Sequence, residues 1–129
     1  MFPITSILAC SLGVLLIVLS WLVIQLRRMI GASIGDEGDT TLSRRIRAQA
    51  NLTEYAPLFV ILIGLAEAQA GPSVLLGATA GLFFLARLAH GYAMALTLAS
   101  PVLRYFGVAA TFISMIGAIF LCFESTING

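Results

Sequence analysis

A predominantly apolar run extends from Ile4 to Leu26, and the pair Arg27-Arg28 closes it. At about 1.5 Å of rise per residue this is long enough to cross a hydrocarbon core of about 30 Å, and it predicts a first helix over residues 4–28. The segment 29–41 sets Gly31, Gly35 and Gly38 among Asp36, Glu37 and Asp39, the composition of a hydrophilic loop. Asp39, Thr40, Thr41 and Ser43 are each able to cap a second helix, predicted over 42–70, which Pro57 is expected to kink and Gly71-Pro72 to end. A third helix is predicted over 73–98, with Gly77 and Gly81 at a spacing suited to close helix contact. The stretch Ala99-Ser100-Pro101 then turns into a fourth helix over 102–123, followed by a short polar tail. The pattern is that of an all-α polytopic membrane protein, a four-transmembrane-helix bundle in a single domain over residues 1–129. The first helix lacks the basic start of a signal peptide and is too long for its apolar region, so it reads as retained.

Polar positions inside these spans change the picture. Arg47, Asn51, Glu54 and Leu58 are spaced four, three and four apart and share a helix face. Beyond Glu54 the apolar run reaches only to Ala66, roughly 18 Å of helix, so the second helix cannot cross without taking its polar stripe inside. The third helix carries Arg87 in the same way. A charge near the bilayer centre costs on the order of 2.5 to 3.5 kcal/mol on insertion scales, so these groups should face the bundle interior and find partners. Counted from the arginine-rich end, Glu54 and Arg87 each lie roughly 16 Å deep and are expected to pair. Asn51 and His90 fall in the layer above, and Arg47, Tyr92, Arg104 and Arg27-Arg28 ring the mouth. Glu67, near the other end, is expected to be solvated.

Hydrophobic residues make up 60% of the chain and charged ones 10%, with mean hydropathy +1.03, which excludes an ordinary soluble domain. A net charge of +1 gives no reason to expect nucleic acid, and all seven basic residues are arginine, the side chain suited to bidentate anion contacts. Arginines border the first and third loops and are missing from the second, so both arginine-bearing loops are expected in the cytoplasm and both termini outside. Cys10 and Cys122 lie in apolar segments and read as small buried side chains rather than a disulfide. No metal-ligand spacing occurs.

Each polar residue has two readings at this stage. Arg27-Arg28 and Arg44-Arg45 either anchor helix ends among headgroups or serve a site. The Glu54 and Arg87 pair either fixes packing or takes part in chemistry, and His90 is either a packing residue or a base. Tyr55 and Tyr92 are open between the same two roles. A funnel of arginines with an Asn, a Tyr and one Glu suits a small polyanion. Arginine near a thiol favours the thiolate, and the chain's own cysteines lie toward the far end, so a reactive thiol would come from a cofactor such as glutathione. Four helices without a repeat give no alternating-access architecture, which argues against an ion-coupled transporter.

The run Arg47-Ala48-Gln49-x-Asn51-x-x-Glu54-Tyr55-x-Pro57-Leu58-Phe59 resembles the signature of the MAPEG family, the membrane-associated proteins of eicosanoid and glutathione metabolism. The likeness extends to Arg27-Arg28, Arg87-x-x-His90, Gly91-Tyr92 and Arg104-x-x-Gly107-x-x-x-Thr111. It implies a homotrimer in the lipid bilayer with glutathione between neighbouring subunits near the cytosolic face. On that likeness Arg47, Asn51, Glu54 and Tyr55 hold glutathione, and Gln49 reaches across the subunit boundary. Arg27 and Arg28 meet its carboxylates and the rim, Tyr92 contacts ligand, Arg87 partners the glutamate, and Arg104 activates the thiolate. The short, glycine-rich first loop is similar to that of bacterial members, which points to the inner membrane. The implied activity is glutathione transfer to an apolar electrophile, or reduction of a lipid hydroperoxide. The alternative is a non-catalytic lipid-binding or scaffold member.

Overall fold

A computed structural model describes residues 1–97 and 100–128. They form four helices, α1 (Pro3–Ile30), α2 (Thr40–Ala70), α3 (Val74–Ala95) and α4 (Pro101–Asn128). All four are long and apolar enough to cross a membrane. α3 ends at Ala95, short of the expected 98: Leu96 and Thr97 have left the helix, and Leu98 and the expected turn at Ala99 fall outside the described residues. α4 runs past the expected end at residue 123 to Asn128, because loss of hydropathy marks where a span leaves the membrane and not where a helix stops.

α2 and α3 lie on the diagonal of the bundle: each packs against both α1 and α4, while α1 and α4 do not touch among the described residues. The core between them is built from Leu8, Leu12, Leu19, Phe59, Ile63 and Phe83, with the Phe59 and Phe83 rings stacked at 3.8 Å between centroids. The outward faces carry Ile7, Ile17, Trp21, Ile113, Ile116 and Phe120, exposed as a lipid-facing surface must be. Polar residues are instead turned inward, among them Arg87, His90, Thr111 and Ser114. This distribution satisfies polar groups where lipid cannot.

Of the four candidate caps for α2 the structure uses Asp39, whose carboxylate accepts the Leu42 N–H at 2.7 Å. α1 ends at Gly31, whose φ of 76° is the left-handed conformation that glycine adopts without cost, and the Gly31 N–H closes on Arg27 O. In the connecting loop the Gly38 N–H, followed by the Ser43 hydroxyl, holds the Asp36 carboxyl below the usual carboxylate range. Pro57 lies within a continuous α2.

Two expectations about helix contacts are corrected. Gly77 and Gly81 make no close helix approach: a Cβ at Gly81 would meet nothing within 4 Å, and one at Gly77 only the tip of Ile4 at 3.9 Å. The close approach is at Gly107, where a Cβ would lie 2.8 Å from His90 Cβ and 3.0 Å from the backbone of Ala86 and His90. Gly107, Ala110, Thr111, Ser114 and Ala118 form a small-residue stripe that lets α4 lie against α3.

Glu67 is not solvated; it is 3% exposed. Its carboxylate accepts the Ile4 and Thr5 N–H groups, both at 2.9 Å, and the Thr5 hydroxyl at 2.6 Å. α1 begins at Phe2-Pro3 with no side-chain cap of its own, and proline has no N–H to satisfy. Glu67 therefore caps α1 from α2, placing a negative charge at the positive end of its dipole. Glu67→Ala is expected to destabilise the protein by roughly 2 to 3 kcal/mol, since two backbone donors lose their acceptor at once. Thermal unfolding in detergent, with faster amide exchange confined to Ile4 and Thr5, checks this; unchanged exchange there would contradict it.

Candidate functional site

The buried cation of the bundle is Arg87, 3% exposed in the second half of α3. The expected pair with Glu54 does not form. Arg87 Nη1 donates to Asn51 Oδ1 on α2, and Nη2 donates to Thr111 Oγ1 and, at 3.2 Å, to Gly107 O on α4. Its guanidinium lies 5.5 Å from the Tyr55 ring centroid and 5.8 Å from that of Phe83. Arg87 thus ties three helices together through neutral acceptors and aromatic faces.

Glu54 sits instead with Arg47, at 3.9 Å, and the two side chains are 51% and 61% exposed. Seven residues apart on a helix, they are offset by only about 20° around its axis, whereas Asn51 is turned about 60° from Glu54 and faces inward. Shared spacing grouped the stripe correctly; the rotation of α2 decided which of its members reached Arg87.

Arg44 and Arg45 are not headgroup anchors. Arg44 Nη2 donates to Ala93 O at 2.9 Å and to Thr97 O, while Arg45 donates to Leu22 O at 2.9 Å and Ala95 O at 3.4 Å. They satisfy carbonyls at the end of α3, which carries no basic residue in its own last turn. Spacing alone could not find this, because the acceptors are backbone atoms of another helix.

Along the α2–α4 seam, Arg44, Arg104, Tyr105 and Ser100 line a cavity of about 310 Å³ with Ala93 and Met94 on its wall. One step deeper, Asn51, Tyr55, Arg87, Thr111 and Phe112 line a pocket of about 20 Å³, room for a single small atom group. Arg104 is exposed toward the upper cavity. His90 is buried, with its Cβ against Gly107. Its Cβ and backbone N lie at the α3–α4 contact.

The remaining candidates lie elsewhere in one chain. Arg27 and Arg28 end α1, on the side of the bundle away from α4, so the ring of arginines does not close within a single copy. Gln49 faces α1 and donates to Ser20 Oγ at 2.8 Å. Tyr92 is 53% exposed on α3. Cys10 is exposed and Cys122 half-buried, so the expected burial holds for neither in full. No group of metal-ligating side chains occurs among the described residues. Two cavities larger than the seam cavity, of about 440 and 410 Å³, carry no arginine: the first lies at the opposite end around Gln69 and Glu124, the second is an apolar groove between α1 and α2.

Fold and site together define a four-helix integral membrane protein with a cationic pocket at one end of the bundle. The MAPEG family model matches residues 5–123, and the chain belongs to that family, membrane proteins of glutathione and eicosanoid metabolism. No match to the chain is found among curated proteins.

Proposed function

We propose that the chain is a membrane-bound glutathione transferase or peroxidase, with glutathione held in the seam cavity between α2 and α4. The observation that carries this reading is the charge imbalance there. Arg44 and Arg104 line the upper cavity and Arg87 the deeper pocket with no carboxylate among the described lining residues, Arg47 sits with Glu54 on the same helix as Arg44, and the buried Nε of Arg87 has no acceptor among the described residues. Uncompensated cations at this depth call for an anion, and a tripeptide with two carboxylates supplies it. The cavity volume is at the lower end of the range for small-ligand clefts, about 300 to 1,000 Å³.

In this reading Arg47 and Asn51 hold the peptide, with Glu54 placed to take its ammonium and Tyr55 and Tyr92 beside it. Glutathione supplies the sulfur nucleophile. Arg104, at the cavity wall, favours the thiolate over the thiol, and the lipid-facing side admits an apolar electrophile or hydroperoxide. The arginine-rich end faces the cytoplasm of a bacterial inner membrane, and both termini lie outside.

A homotrimer completes the site. Arg47 and Glu54 are more than half exposed at levels where lipid would surround a lone copy, and such groups are not left against hydrocarbon. Arg27, Arg28 and Gln49 sit on the opposite flank, where they would meet a neighbour's seam.

Titration of the detergent-solubilised protein with glutathione at neutral pH, followed by the ultraviolet absorbance of the thiolate, tests the reading. Saturable thiolate absorbance is the expected result. Binding detected by calorimetry without that absorbance would support a scaffold member, and no binding would remove the proposed ligand.

A further inference from the structure

The end of α3 and the start of α4 are joined by a chain of hydrogen bonds that begins on α2. Arg44 Nη2 holds Ala93 O and Thr97 O. Thr97 Oγ1 donates to Ala93 O at 2.8 Å and accepts the Ser100 N–H at 3.3 Å. Ser100 O in turn accepts the Arg104 N–H at 3.2 Å, in the first turn of α4. Arg44 and Arg104 also line the same cavity. The Arg44 guanidinium spends donors on carbonyls, so its first effect is to fix backbone.

We propose that Arg44 is a positioning residue for Arg104. Clamped on Ala93 O in the last turn of α3 and on Thr97 O just beyond it, it sets the position from which α4 departs, and thereby the distance between the Arg104 guanidinium and the ligand in the seam. Arg44 acts through Thr97 and Ser100. The effect of a cation on a thiol falls steeply with separation, so a loosened corner weakens thiolate stabilisation before it weakens attachment of the peptide at Arg47 and Asn51. This rests on the glutathione reading above, because the atom that Arg104 acts on is the glutathione sulfur.

The test uses the full chain in detergent, with Thr97→Val to remove the hydroxyl relay at nearly constant shape, Thr97→Ser to restore it, and Arg44→Gln to remove the clamp. Two quantities are measured: affinity for S-methylglutathione, which has no ionisable thiol, and the pH midpoint of thiolate absorbance with bound glutathione. Thr97→Val and Arg44→Gln are expected to raise the midpoint by about one pH unit, a roughly tenfold loss of thiolate below it. S-methylglutathione affinity should stay within about twofold of wild type for Thr97→Val, and Thr97→Ser should titrate as wild type. An unchanged midpoint in both Thr97→Val and Arg44→Gln overturns the assignment. So does a loss of thiolate that only follows a loss of S-methylglutathione binding. If the wild-type protein binds neither compound, the glutathione reading itself fails, and this is seen before any variant is compared.

Discussion

Gly107→Ala is expected to destabilise the bundle by about 2 kcal/mol and to disperse the Arg87 cluster, although it adds a single methyl group. The new Cβ would stand 2.8 Å from His90 Cβ and 3.0 Å from both Ala86 O and His90 N. None of these is the end of a flexible side chain, so the collision can be relieved only by moving α4 away from α3. Gly107 O also accepts from Arg87 and from the Thr111 hydroxyl, which ties the packing contact to the polar network. Gly117→Ala on the same helix is the comparison. There a Cβ meets the Thr79 methyl at 3.4 Å, ordinary contact, and little change is expected. Thermal unfolding of the two variants in one detergent decides the matter: equal midpoints would mean that the close approach at Gly107 is not what holds α4.

Arg104→Ala is expected to abolish thiolate absorbance and to reduce kcat/KM for conjugation by roughly a hundredfold to a thousandfold, the usual cost of removing one preorganised charge-stabilising donor. Glutathione binding should survive, because the carboxylate and ammonium contacts proposed for Arg47, Asn51 and Glu54 lie on α2. Arg104 is exposed in the cavity and has no carboxylate partner within 4 Å among the described residues, so its loss leaves no buried charge stranded. The fold should therefore tolerate the change. A variant that keeps full thiolate absorbance would reassign activation to another cation at the seam, and one that loses binding in parallel would make Arg104 a binding residue.

The two variants separate packing from chemistry on one helix. Gly107 and Arg104 are three residues apart; Gly107 lies against α3, and Arg104 lines the cavity with Arg44, Ala93 and Met94. One acts through the space it leaves empty, the other through a charge with no carboxylate partner among the described residues.

Much of this was legible in the chain itself. Apolar length dictated four spans, and Asp39 was among the caps that composition offered for α2. The polar stripe of α2 and the lone arginine of α3 pointed to a buried cluster at one end, since no isolated helix can carry such groups through lipid. Helical spacing states which residues share a face, but it leaves open how that face is rotated against its neighbours. A turn of about 60° separates Asn51, bonded to Arg87, from Glu54, left beside Arg47. Only the packed bundle could decide that choice. The same holds for Glu67 and Arg44, whose partners include backbone groups at the ends of other helices, and for Arg45, which reaches Ala95 O at the end of α3 and Leu22 O within α1. Every helix end offers such groups, whatever its sequence, so the side chain that satisfies them is selected by proximity in three dimensions.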